Sequence, residues 1–86
     1  MSDWYVYILR CADGSLYTGI TTDVHRRLQE HNSKDGSAAR YTRSRQPVQL
    51  VYQESAASRS EATRREMEIK AMDRTTKESL VSGQGI

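Results

Sequence analysis

The sequence predicts an α+β domain: a small three-stranded antiparallel sheet flanked by helices, in the order β-β-α-β-α-α. Three observations lead there. Residues 4–11, "WYVYILRC", are rich in aromatic and β-branched side chains, and the turn "ADGS" and a second such run, "LYTGI", follow at once, which is the pattern of a hairpin. Helix-starting residues stand at Asp23 and Ser58, each ahead of a stretch with helical apolar spacing. Between those stretches a third strand-like run, "VQLVYQE", follows Pro47.

The hairpin register follows from its side chains. A two-residue Asp13-Gly14 turn would pair Ala12 with Ser15 and send Tyr7 and Tyr17 to opposite faces. A three-residue loop, Ala12-Asp13-Gly14, with Gly14 in the left-handed region, pairs Cys11 with Ser15, Leu9 with Tyr17 and Tyr7 with Gly19. In that register one face collects Trp4, Val6, Ile8, Leu16 and Ile20. The other collects Tyr5, Tyr7, Leu9, Cys11, Tyr17, Gly19 and Thr21. A one-residue slip would mix the two sets, so the pattern favours the bulged loop. Gly19 then leaves a space free of side chain beside the Tyr7 hydroxyl.

Asp23, or Thr22 before it, caps a first helix that carries Val24 and Leu28 and runs to about Asn32. "NSKDGSAARYTRSRQP" reads as a long polar connection. After the third strand, Ser58 and Glu61 form a Ser-x-x-Glu capping box that starts a helix reaching about Asp73. Thr75 and Glu78 repeat that spacing and start a short last helix. Residues 1–86 are expected to form a single domain, with a core over about 4–82 and a tail, 83–86, that frays.

Composition narrows the function classes. No apolar run approaches a membrane span, and "MSDWYVYILR" lacks the sections of a signal peptide. The expectation is a cytoplasmic protein without a membrane partner. The single Cys11 excludes an internal disulfide and a cysteine-based zinc site, and it reads as a small apolar strand residue. Net charge is only +2, but residues 25–45 set Arg26, Arg27, Lys34, Arg40, Arg43 and Arg45 against Glu30 and Asp35. That concentration marks either a solvated loop or a patch that contacts phosphate.

Chemistry-bearing residues fall on the tyrosine face and on two helices. The chain has five tyrosines and no phenylalanine, so ring area alone does not explain Tyr7 and Tyr17. Arg27 and His31 are four apart and share a helix face, with His31 at the edge of the apolar stripe. Ala62, Glu66 and Ile69 follow i, i+4, i+7 spacing, so Glu66 takes a place where an apolar residue belongs. A carboxylate there must be paired, bind a metal or look into a wet cavity. Each residue also has a plain structural explanation. The tyrosines serve as strand aromatics, Arg27 as a solvated charge, and His31 as a charge at a helix C-terminus. Glu66 serves as the partner of Arg65, Arg27 or Lys70. The functional case rests on their convergence on one face of one sheet.

The motifs "YVY" and "YTG", followed by "TTDVHRRLQEHN" and "SEATRREMEIKAM", resemble the GIY-YIG nuclease superfamily over roughly Trp4 to Met72. The likeness is closer still to the small stand-alone bacterial proteins of that superfamily. The resemblance implies that Tyr7, Tyr17, Arg27, His31 and Glu66 are catalytic, with Gly19 in the second motif and Gly14 at the turn. Tyr5 stands where the first motif has glycine, and Thr18 where the second has isoleucine. Many relatives have an asparagine after the glutamate helix, and residues 67–86 contain none.

The implied activity is metal-dependent hydrolysis of phosphodiester bonds in DNA, or RNA, with little sequence preference. Glu66 would hold one Mg²⁺ or Mn²⁺ with waters and phosphate, since no second acid joins it for a two-metal site. Arg27 would hold the scissile phosphate with its planar fork. Tyr7 would act as general base with Tyr17 positioning water, which requires a nearby cation to favour the phenolate. His31 would transfer a proton or touch phosphate. Arg26, Lys34, Arg40, Arg43 and Arg45 would track the nucleic-acid backbone. No room is left for a recognition domain, so specificity would come from substrate shape or a protein partner of this monomer or weak dimer. The alternative is a module that binds nucleic acid on the same scaffold without cutting it.

Overall fold

In the computed structural model, which describes residues 3–84, the chain turns back on itself with the three-residue loop. Strands β1 (Trp4–Arg10) and β2 (Leu16–Thr21) pair antiparallel with Tyr7 opposite Gly19 and Leu9 opposite Tyr17. The Cys11 amide donates to Ser15 O, the Gly14 amide donates to Cys11 O, and Gly14 takes φ 85°. That conformation is open to glycine at no steric cost. Asp13 closes the loop by accepting from both the amide and the hydroxyl of Ser15.

Strand β3 (Gln49–Ala56) adds antiparallel to the other side of β1, giving the order β2-β1-β3. It begins one residue later and ends two residues later than the sequence suggests. A bulge between Ile8 and Leu9 shifts the register along this pair. The expected element order is found, with one addition. Helix α1 (Val24–His31) is capped by the Asp23 carboxylate, which accepts from the Arg26 amide. The connection expected to be irregular contains a one-turn helix, α2 (Arg40–Arg43), that buries Thr42. Helix α3 (Arg59–Lys70) stops three residues short of Asp73. Its capping box is present: the Glu61 amide donates to Ser58 Oγ, and the Glu61 carboxylate accepts from the Ala57 amide.

The last helix, α4 (Arg74–Gln84), is capped by Asp73 rather than Thr75, through the Thr76 amide at 2.8 Å. Glu78 is therefore free of the capping role expected of it and instead grips Arg10 with both carboxylate oxygens, at 2.6 and 2.9 Å. Residues 83–84 of the expected tail are helical, and residues 85–86 lie outside the described residues.

The two sheet faces carry separate cores. Val6 and Ile8 pack with Tyr52, Ala62 and Ile69, joined by Leu80 and Val81, so α3 and α4 cover the aliphatic face. Tyr7, Leu9, Cys11 and Val48 pack with Tyr17 and Leu28, so α1 covers the tyrosine face. Arg65 ties α3 to β3 through Glu54, which also accepts from the Tyr52 hydroxyl. Asn32 ends α1 and holds both the amide and the carbonyl of Val48. These links fix the helices that carry Arg27, His31 and Glu66 against the sheet. No described helix is long and apolar enough to cross a membrane.

Candidate active site

Alternation along β1 sends Tyr7 to the face beneath α1, and the register sets its hydroxyl over Gly19. A Cβ added at Gly19 would lie 2.6 Å from the Tyr7 hydroxyl oxygen and 2.7 Å from Cζ. No side chain fits there, so the glycine is required for space rather than for conformation. Tyr7 is 2 % exposed and His31 is 0 % exposed. The Tyr7 hydroxyl and His31 Nε2 share a hydrogen bond of 2.8 Å. On the other side of the ring, His31 Nδ1 and Thr42 Oγ1 are 2.7 Å apart, and the Thr42 hydroxyl donates to Ala39 O at 3.1 Å. The edge of Tyr17 meets the His31 ring at 5.1 Å between centroids, and Tyr41 stacks on Tyr17 at 5.7 Å. Tyr7, Tyr17 and His31 thus share one buried cluster on one sheet face.

Arg27 faces the same cluster from α1. Its Nη1 donates to Glu30 Oε1 at 2.8 Å and to Ser37 O at 3.0 Å, and its charge acts on the Tyr7 phenol. Glu66 rides on α3, which crosses the aliphatic face and touches all three strands. Its side chain is 19 % exposed, and Lys70 Nζ approaches it at 3.5 Å. Of the ion-pair partners considered from the sequence, Lys70 is the one found. The convergence expected on one sheet face is therefore found for Tyr7, Tyr17, Arg27 and His31, which gather under α1, but not for Glu66, whose helix packs on the aliphatic face. The Glu66 carboxylate acts on the Tyr7 phenol only as the least of the charges that shift it.

The electrostatics overturn one expectation. A tyrosine base was expected to have its phenol held low by a nearby cation. Burial, followed by the nearby Tyr17, instead pushes Tyr7 up to about 12, against the lowering effects of Arg27. Burial and the Arg27 charge hold His31 down at about 4. The imidazole is therefore neutral at pH 7, not the helix-terminal charge of the plain explanation. Burial also pushes the Cys11 thiol up, which fits its role as an apolar residue.

The basic residues divide into two kinds. Arg26, Lys34, Arg40 and Arg43 are exposed, and Arg26 approaches Glu30 only at 4.0 Å. Arg45 is anchored: Nε donates to Asp13, Nη1 donates to Tyr41 O, and its guanidinium lies 4.0 Å over the Tyr41 ring. It braces the hairpin turn against α2. Among the described residues no group of three His, Cys, Asp or Glu gathers as a metal cluster. Glu66 is thus a lone carboxylate donor, suited to a hard ion whose shell waters and phosphate oxygens would complete.

Two contributors escape the sequence reading, Tyr41 and Thr42. Both lie in "NSKDGSAARYTRSRQP", where four helical residues give too short a stretch for periodicity to register. The only signal there was a tyrosine-threonine pair within a polar run.

Known proteins resemble this chain along most of its length. The family model described as the GIY-YIG catalytic domain matches residues 3–79. A UPF0213 protein of Desulfotalea psychrophila is 59 % identical over 78 residues, covering 91 % of this chain and 70 % of the relative. One of Natronomonas pharaonis is 52 % identical over 83 residues, covering 96 % and 95 %. The solution NMR structure of a UPF0213 protein from Bacillus halodurans superposes with a TM-score of 0.61 at 52 % identity, covering 95 % of this chain and 85 % of that one.

Proposed function

Because the chain belongs to the GIY-YIG catalytic-domain family, we propose that it hydrolyses phosphodiester bonds in DNA or RNA at the cluster of Tyr7, Tyr17, Arg27, His31 and Glu66. The observation that carries this reading is the buried contact of the Tyr7 hydroxyl with His31 Nε2, within the field of the Arg27 charge. A hydroxyl held over a glycine against a buried imidazole is costly to build as mere packing.

The donor set fits one hard divalent ion, with Glu66 as the protein ligand. When bound, Mg²⁺ or Mn²⁺ supplies charge neutralisation on the phosphoryl oxygens. Arg27 holds the scissile phosphate through donors not committed to Glu30 and Ser37. The attacking water gives a proton to the Tyr7 phenol oxygen as the phenol's own proton passes to Nε2 of the neutral His31. The water oxygen bonds to phosphorus as the ester P–O bond breaks, the departing oxygen takes a proton from solvent, and His31 then returns its extra proton to solvent through the same relay. In the resting protein the phenol keeps its proton, so the site becomes basic only when substrate and cation alter its surroundings. Tyr17 lines the same space and orients water. Exposed Arg26, Lys34, Arg40 and Arg43 follow the nucleic-acid backbone without reading sequence. A substrate's shape or a protein partner then sets where it cuts.

The test compares wild type with Glu66→Ala on branched, flapped and single-stranded substrates in Mg²⁺ or Mn²⁺. Wild type cuts at least one class, and Glu66→Ala cuts none while still binding. Equal inactivity of both proteins on every substrate ends the nuclease reading. A second reading, a binding module without turnover, draws on the same exposed arginines. It predicts binding that survives Glu66→Ala, while Arg40→Ala with Arg43→Ala lowers the salt slope of log K by about 2.

A further inference from the structure

We propose that Thr42 is a positioning residue that fixes the tautomer of His31, with the proton on Nδ1 and the Nε2 lone pair facing the Tyr7 hydroxyl. Its consequence for catalysis rests on the nuclease reading, whereas the tautomer itself is a property of the resting protein.

The assignment comes from counting hydrogens along a buried chain. A hydroxyl has one proton to give. That of Thr42 goes to Ala39 O at 3.1 Å. The same carbonyl accepts the Arg43 amide at 2.9 Å, so both of its lone pairs are used. Thr42 Oγ1 then has only acceptor capacity to offer His31 Nδ1, 2.7 Å away, and Nδ1 must donate. A neutral imidazole has one N–H, so Nε2 has none and must accept from Tyr7 at 2.8 Å.

The other end of the chain agrees: the Tyr7 hydroxyl also has one proton to give, and His31 Nε2, 2.8 Å away, is the acceptor for it. Reversing the chain would set the Thr42 and Ala39 oxygens lone pair to lone pair. It would also take from the Tyr7 proton its acceptor at Nε2. Thr42 is 0 % exposed, so water does not compete for its hydroxyl. The neighbouring Tyr41 stacks on Tyr17, so the one turn of α2 sets both aromatic partners of Tyr7.

The consequence is directional. The phenol proton points away from substrate, and a lone pair of the Tyr7 oxygen is left to accept from water. Removing the Thr42 hydroxyl leaves Nδ1–H buried without an acceptor, which favours moving the proton to Nε2 and turning the phenol proton outward.

Long-range ¹H–¹⁵N NMR reads this directly. His25 is the only other histidine, and His25→Gln assigns the signals. In wild type and Thr42→Ser, His31 shows a pyrrole-like Nδ1 and a pyridine-like Nε2. In Thr42→Val the two signals move toward each other or exchange. If wild type cleaves, Thr42→Val is slower by about 10–100-fold, the range seen when the outer partner of a metal-ligating histidine is removed, while Thr42→Ser stays near wild type. Nε2–H in wild type overturns the proposal, as does an unchanged Nδ1–H in Thr42→Val. So does a changed tautomer with unchanged cleavage. Should Thr42→Val fail to fold, wild type and Thr42→Ser decide the assignment. Should wild type fail to cleave, the nuclease reading falls and the NMR still decides the tautomer.

Discussion

The Tyr7 hydroxyl lies 2.8 Å from His31 Nε2, in a contact between two buried rings separated by 24 positions in the chain. Strand register, the missing side chain of Gly19 and the packing of α1 all bear on this one bond. Its environment has consequences for titration, stability and cleavage.

Tyr7 keeps its proton in the metal-free protein. Burial and Tyr17 push its phenol up to about 12. Ultraviolet titration of wild type minus Tyr7→Phe therefore shows no phenolate from this residue below about pH 11. A difference signal appearing between about pH 8 and 10 would mean that Arg27 outweighs burial.

Gly19→Ala disrupts the site through space. Its new Cβ would meet the Tyr7 hydroxyl oxygen at 2.6 Å, and the ring must move off His31. The expected cost is about 1–3 kcal/mol of stability, together with loss of cleavage. Gly83→Ala is the contrast, since nothing lies within 4 Å of a Cβ added there and alanine favours a helix by up to about 1 kcal/mol. Chemical denaturation of both variants checks the pair. Equal effects would refute the steric account.

Stability falls on mild acidification because of His31. Its folded-state value is lowered from 6.5 to about 4, so the unfolded chain binds a proton first as pH drops through that window. Stability therefore rises with pH between about 4 and 6.5 and is unaffected by this residue above it. The loss by about pH 4 is up to about 3 kcal/mol. Denaturant unfolding of wild type and His31→Gln at about pH 7 and about pH 4 isolates it. Wild type should lose more on acidification than the variant does.

Much of this architecture was legible in the residues. The alternation of tyrosine and aliphatic side chains favoured the bulged register, because a one-residue slip mixes a dry face with a hydroxyl-rich one. It also set Gly19 opposite Tyr7. Glu66 stood out because an acid interrupts apolar spacing. Helix ends were less legible: Asp73 and Thr75 both suit a cap, and their choice depends on how Glu78 reaches Arg10 across the fold. Thr42 was illegible for a different reason. Its importance comes from a long-range contact with His31 made by a single helical turn, which leaves no periodic trace. The sign of the Tyr7 shift was also beyond the reach of the sequence, because it depends on how deeply the ring is buried relative to Arg27.

The most direct measurement is the single-turnover cleavage rate of wild type, Tyr7→Phe and Tyr5→Phe, with Mn²⁺ and substrate binding monitored in parallel. Tyr5 shares the sheet face with Tyr7 but lies opposite Thr21 instead of Gly19. Wild type and Tyr5→Phe should cleave at similar rates. Tyr7→Phe should bind as well and cleave at least about 100-fold more slowly, the scale of a lost proton-transfer group. Cleavage by Tyr7→Phe at the wild-type rate would contradict the account.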